Sequence, residues 1–243
     1  MITFKEFINE SINDKAIFKA LFIVGIPGAG KSYTANQLKG TVSPMVINTD
    51  IAVEYLVKKL KIPSTSETWP IFRDDAKRIT EARMFQYLNS MLPLFIDGTS
   101  NDVSNVLARA GILESIGYDV GMVFVDTTLE AAISRAESRS KEIDRHVDST
   151  FIEKVFKLSQ ENKSYFKSKF GFFKEINNVP GELTDSAIAK IFNQVSSFYD
   201  EPIKNPVGLR SINTLKQEHQ KYLIPSVFDK NDLQKKCDSW YRK

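Results

Sequence analysis

Residues 25–32, Gly-Ile-Pro-Gly-Ala-Gly-Lys-Ser, follow the apolar run "ALFIV" and have the spacing G-x-x-x-x-G-K-S. Glycines in a turn between strand and helix let backbone N–H groups converge on a phosphate without Cβ clashes, and the helix N-terminus adds a favourable dipole. In this pattern Lys31 reaches the β- and γ-phosphates and the Ser32 hydroxyl holds Mg²⁺. Gly25, Gly28, Ala29, Gly30, Lys31, Ser32 and Tyr33 make up the expected nucleotide contact, with ATP as the expected ligand. Such a loop holds a nucleoside triphosphate without revealing where the γ-phosphate goes.

Three other groups bear on that question. "VINTD" places Asp50 after the second apolar run, where a carboxylate serves either as a general base for a hydroxyl or as the N-cap of "IAVEYLVKKL". "LFIDGTSN" places Asp97 after another run, with the choice between ordering Mg²⁺ and touching an acceptor left open, while Thr99, Ser100 and Asn101 are expected to cap the next helix. In "TLEAAISRAESRSKEIDRH", Arg135 and Arg139 are spaced i,i+4 on one helix face. They either neutralise charge during phosphoryl transfer or pair with Glu130, Glu137 and Glu142 on a solvated helix.

The elements that must position these groups are legible as an alternation. Apolar runs at 20–25, 44–50, 92–98, 118–126 and 171–178 are separated by helical patterns near 31–39, 51–60, 71–90, 101–115, 128–140, 149–169 and 184–199. Strands separated by helices of this length indicate an α/β fold, a mostly parallel five-stranded sheet flanked by helices. Gly25, Asp50, Asp97 and Asp126 then fall at strand ends, and ligands of such sheets bind outside the carboxyl ends of the strands. Residues 3–11 read as a short helix with capping-box spacing between Thr3 and Glu6. The pattern weakens after Tyr199, and "DEPIKNPVG" (200–208) reads as a linker to a small helical appendage. The expected division is 1–19, an N-terminal helix; 20–199, a kinase-like domain; and 200–243, linker and basic appendage.

Composition narrows the classes. Among 243 residues, 42% are hydrophobic and 26% charged, an ordinary globular balance. No apolar run approaches the roughly 20 residues needed to span a bilayer, and "MITFKEFINE" lacks the apolar core of a signal peptide. The single cysteine, Cys237, excludes an internal disulfide and fits a reducing cytoplasm, and two histidines make a zinc site of the usual ligands improbable. The net charge of +3 is uneven: residues 201–243 carry nine Lys or Arg against five acids. Such a tail holds a polyanion or is simply a solvated surface.

Together these residues resemble the P-loop kinases of the polynucleotide kinase and zeta-toxin group. The resemblance runs from Leu21 to Asn178 and is carried by G-x-P-G-x-G-K-S at 25–32, "INTD" ending at Asp50, "IDGTSN" at 96–101, and "VFVDTTLEAAISRAESR" at 123–139. It implies Asp50 as general base, Lys31 and Ser32 on phosphates and metal, and Arg135 and Arg139 as the lid. One position departs: polynucleotide kinases have an acceptor-binding arginine three residues after the catalytic aspartate, and here that residue is Val53. Arg73, Lys77, Arg78 and Arg83, on the following helical segment, are the alternative sources of that contact.

A related branch in bacteriophages phosphorylates 5-hydroxymethyluracil within DNA. The lost arginine and the basic tail fit such an enzyme, with DNA as partner substrate and the base exposed for reaction. The competing readings are an end-repair 5′-hydroxyl kinase, a zeta-toxin-like kinase of a small sugar or nucleotide sugar, and an NTP-dependent switch.

Overall fold

Continuous apolar runs require burial on both faces, and the first of them obtains it. In the computed structural model, which describes residues 16–38, 42–62, 67–143 and 147–222, β1 (Lys19–Val24) is buried at all six positions. Leu21 and Ile23 enter one apolar layer; Ala20, Phe22 and Val24 enter the other. That is the period-two alternation of a strand covered on both sides. β2 (Met45–Ile47), β3 (Leu94–Gly98), β4 (Asp119–Asp126) and β5 (Phe172–Asn177) complete the sheet in the order β2-β3-β1-β4-β5, every pairing parallel.

Around the sheet lie α1 (Lys31–Gln37), α2 (Thr49–Leu60), α3 (Thr68–Ile71), α4 (Arg73–Asn89), α5 (Val103–Ser115), α6 (Leu129–Ile143), α7 (Ser149–Lys169), α8 (Asp185–Asp200) and α9 (Pro206–Tyr222). Ala132 and Ala136 of α6, Ile152 and Val155 of α7, and Val195, Phe198 and Tyr199 of α8 pack on the Leu21 face. Val106, Ala110 and Leu113 of α5, Phe166 of α7 and Ile212 of α9 pack on the Phe22 face. A third cluster stands apart, where Ala52, Val53 and Val57 of α2 meet Trp69 of α3 and Ala76 of α4.

The structure moves several expected boundaries. β2 stops at Ile47, so Asp50 lies in the first turn of α2 and not at a strand end. Asn48 caps that helix: its side chain accepts the N–H of Asp50, the residue that the sequence offered as a cap. Residues 71–90 are not one helix, because Phe72 leaves helical geometry between α3 and α4. Asp102, rather than Thr99, Ser100 or Asn101, caps α5. Ser100 is instead buried and hydrogen-bonded to Ser159 of α7. The expected helix at 3–11 and Cys237 lie outside the described residues.

The stretch after α8 is bound to the amino-terminal edge of the sheet. Asp119, which opens β4, accepts the buried Lys19 ammonium at 2.8 Å and the backbone N–H groups of Lys204 at 2.9 Å and Asn205 at 2.8 Å. The Asn205 amide donates to the carbonyls of Glu114 and Tyr118, while its oxygen accepts Val207 N–H at the start of α9. Gly208 passes so close to Gly117 that a Cβ on Gly208 would lie 2.3 Å from the Gly117 carbonyl oxygen. The described basic residues of the tail therefore start from the edge opposite the glycine-rich loop.

Candidate active site

The loop at 25–30 leaves the carboxyl end of the central strand and opens α1. Its glycines are set by crowding as well as by conformation. Gly28 has φ +80° and a Cβ there would lie 2.2 Å from the Ala132 carbonyl oxygen; Gly30 has φ +90° and a Cβ would lie 2.2 Å from Asn178 Nδ2. Both torsions lie where side chains are costly. At Gly25 a Cβ would meet the Val125 carbonyl oxygen at 2.5 Å, which holds the loop against β4. Ala29 is fully buried, donates its N–H to the Ile26 carbonyl and offers its own carbonyl to Asn178 Nδ2 at 2.7 Å.

This loop suits a polyphosphate. Gly30, the residue preceding α1, has no side chain to cap the first turn, and no acid lies in that turn. The first N–H groups of a helix need an acceptor, and an anion supplies one. Lys31 curls over the loop, donating to the carbonyls of Gly25 at 3.0 Å and Ile26 at 3.2 Å. Ser32 and Tyr33 are exposed beside it.

Asp97 belongs to the same edge. It pairs in register with Ile23 of β1, and its neighbour Gly98 with Val24, the residue before Gly25. Burial pushes the Asp97 carboxyl above its usual range, and Asp50 nearby pushes it further; Lys31, the Gly98 N–H and Arg139 oppose both. Asp97 thus lies in the field of Lys31, Asp50 and Arg139. A folded-state value raised above 3.8 means that stability falls as pH rises past that point, since the unfolded chain ionises first, and the penalty is present at neutral pH. Asp97→Asn is therefore expected to raise the melting temperature at pH 7. The gain should vanish below pH 3.8, where Asp97 is neutral in both states; thermal unfolding at the two pH values checks this.

The two arginines of α6 diverge. Arg135 is half-buried and donates to the carbonyls of Gly28 at 3.4 Å and Asn178 at 2.9 Å, and to Thr127 Oγ1 at 3.3 Å. Arg139 is exposed, 3.7 Å from Glu54 of α2. Among the described side chains, neither Glu130 nor Glu137 forms an ion pair with either arginine, and the Glu142 side chain lies outside them. Arg73, which opens α4, has its guanidinium 3.8 Å from Asp50 Oδ1, and Arg78 instead pairs with Asp75 on its own helix. Asp126 is occupied elsewhere, accepting from Gln160, Lys163 and the Thr127 N–H.

Three contributors escaped the sequence reading: Asn48, Asn178 and Thr127. For Asn48 a signal existed, since asparagine before an apolar helical run is a cap candidate. Asn178 and Thr127 meet the loop only through the pairing of β4 with β5, which no local pattern announces.

The family model for Zeta toxin matches residues 9–193. Among solved structures, a candidate kinase from Chloroflexus aurantiacus superposes with a TM-score of 0.54 at 17% identity, covering 74% of this chain and 98% of that one. A structure from the PezAT chromosomal toxin–antitoxin system of Streptococcus pneumoniae superposes with a TM-score of 0.53 at 15% identity, covering 87% and 90%. No curated protein sequence matches the chain. No helix among the described residues is long and apolar enough to cross a membrane. The chain belongs to the zeta toxin family and is a P-loop kinase, a phosphotransferase with a hydroxyl as acceptor.

Proposed function

We propose that the chain transfers the γ-phosphoryl group of ATP to a hydroxyl that Asp50 deprotonates, on an acceptor carrying a phosphate near that hydroxyl. The reading rests on one juxtaposition: Asp50 and Lys31 both act on Asp97 at the edge where the glycine loop opens, and one side chain, Asn48, hydrogen-bonds both Asp97 and the Asp50 N–H. The Asp50 carboxylate takes the hydroxyl proton, the oxygen bonds to the γ-phosphorus, and the bond from that phosphorus to the bridging oxygen breaks to release ADP. Lys31 and Arg139 offset charge on the transferred group. Arg135 braces Gly28 and so keeps the loop in shape. Mg²⁺, held by Ser32 and Asp97, supplies further charge neutralisation when bound.

The acceptor we favour is the hydroxymethyl group of 5-hydroxymethyluracil within phage DNA. Val53, at the position of the acceptor-binding arginine of end kinases, is fully buried against α3 and α4 and makes no such contact. Arg73 stands beside Asp50 with most of its side chain in solvent and takes that part. Lys77, Arg78 and Arg83 are also exposed on α4, interspersed with Asp74, Asp75 and Glu81, and supply individual cations for a flanking strand. The docked segment at 201–212 lies at the opposite edge and is not the DNA-holding element. Membership of the zeta toxin family favours a second reading, a nucleotide sugar as acceptor.

The test offers γ-labelled ATP and Mg²⁺ with three acceptors: duplex DNA containing 5-hydroxymethyluracil with blocked 5′ ends, ordinary DNA with free 5′-hydroxyls, and a UDP-sugar. Label in the first alone supports the favoured acceptor. Label in the second alone makes an end kinase, label in the third alone makes a nucleotide-sugar kinase, and label in none favours the switch reading. With whichever acceptor is labelled, Arg73→Gln is expected to raise acceptor KM about 10-fold or more, the loss of a charged hydrogen bond, with ATP KM unchanged in steady-state kinetics.

A further inference from the structure

We infer that Asn48 is a positioning residue for phosphoryl transfer, its carboxamide joining the helix that carries Asp50 to the strand that carries Asp97. The inference rests on Asp50 being the base and is independent of which acceptor is used. β2 is an edge strand of only three residues, paired to β3 as Met45↔Leu94, Val46↔Phe95 and Ile47↔Ile96. One step further along that register brings Asn48 opposite Asp97. There the backbone ladder has ended and a side chain replaces it. Asn48 Nδ2 donates to Asp97 Oδ2 at 2.6 Å, and Asn48 Oδ1 accepts the Asp50 N–H at 2.7 Å.

The orientation of the amide is dictated by its partners, since a backbone N–H needs the oxygen and a carboxylate needs the nitrogen. One side chain therefore touches both functional carboxylate residues. Through Asp97 the tie continues to Ile23 of β1 and so to the glycine loop; through α2 it reaches Glu54, the partner of Arg139. A three-residue edge strand alone gives little hold on the start of α2. The amide supplies the missing constraint.

Helix capping does not account for this residue. Serine and aspartate cap about as well as asparagine, but aspartate has no donor and serine offers one short hydroxyl, whereas the amide presents an acceptor and a donor on separate atoms, one to each partner. That difference separates the two roles. Asn48→Ser keeps the cap, but its single shorter hydroxyl replaces the separate Nδ2 and Oδ1 atoms and cannot hold both partners at once. Asn48→Asp keeps the cap, has no donor and sets a second carboxylate against Asp97. Outer hydrogen bonds that orient a functional carboxylate are typically worth about 10–100-fold in activity.

The experiment measures Mg·ATP hydrolysis, in which water replaces the acceptor, alongside thermal unfolding. The expected result for both variants is an ATP KM within about twofold of wild type and a kcat lower by about 10–100-fold, with the melting temperature unchanged in Asn48→Ser and lowered at pH 7 in Asn48→Asp, whose added carboxylate faces Asp97. Wild-type kcat in both variants would make Asn48 a cap only and overturn the inference. In Asn48→Ser, a kcat loss that tracks a fall in melting temperature would do the same. Asp50→Asn in the same assay distinguishes the two levels: wild-type hydrolysis there removes the base itself, whereas slow Asp50→Asn with wild-type Asn48 variants defeats the positioning role alone.

Discussion

Asp50→Asn is expected to slow phosphoryl transfer by about 10²–10⁴-fold, the usual contribution of a general base, while ATP affinity stays unchanged. The substitution is nearly isosteric. An asparagine at 50 keeps the first turn of α2, and Asn48 still accepts its backbone N–H. What it loses is the capacity to take a proton. ATP affinity is spared because the phosphate loop is built from other parts: Gly28 and Gly30 against α6 and Asn178, with Lys31 over the loop carbonyls. Lys31→Ala provides the contrast and is expected to weaken both ATP binding and turnover. Single-turnover transfer from γ-labelled ATP, with ATP affinity measured separately by titration, resolves the two effects. Full transfer by Asp50→Asn would remove Asp50 from the mechanism.

The second large effect is on stability, far from the site. Asp119→Ala is expected to destabilise the fold by about 3–5 kcal/mol, the cost of removing one partner of a buried ion pair. Lys19 is 2% exposed, so its charge has no solvent to fall back on. Asp119 also accepts two backbone N–H groups, from Lys204 and Asn205, and these anchor the start of α9. Denaturant unfolding at neutral pH measures the change as a lower midpoint. Lys204→Ala, whose ion pair with Glu201 is exposed, should leave the midpoint in place. Deleting residues 201–243 should resemble Asp119→Ala rather than act as the removal of an inert tail, because Ile212 and the Asn205 contacts go with it. A truncated chain of wild-type stability would show that this docking contributes nothing.

Much of the architecture was legible in the chain itself. The glycine spacing at 25–30 marks a strand, a phosphate loop and a helix in one stroke, because Gly28 and Gly30 hold positive φ and a Cβ at any of the three glycines would clash. The apolar runs marked five strands, of which β1, β3 and β4 are the ones buried along most of their length, as strands covered on both faces must be. Placing Asp50 and Asp97 near that loop followed from the rule that sites collect at the carboxyl edge, whereas Arg135 and Arg139 were placed there only by the family resemblance.

The assignments within that edge needed the tertiary structure. Arg135 and Arg139 share one helix face by spacing, yet one braces the loop and the other faces α2, because only the packing of α6 on the sheet decides which turn lies over Gly28. Val53 and Arg73 are twenty residues apart in sequence, and it is the packing of α2 on α3 and α4 that buries the first and delivers the second to Asp50. Asn48 and Asp97 meet through the β2–β3 register, a pairing between segments separated by α2, α3 and α4. Local pattern determined what each segment is. Long-range pairing and packing decided which side chains share a site, because those contacts join residues whose separation along the chain carries no periodic signal.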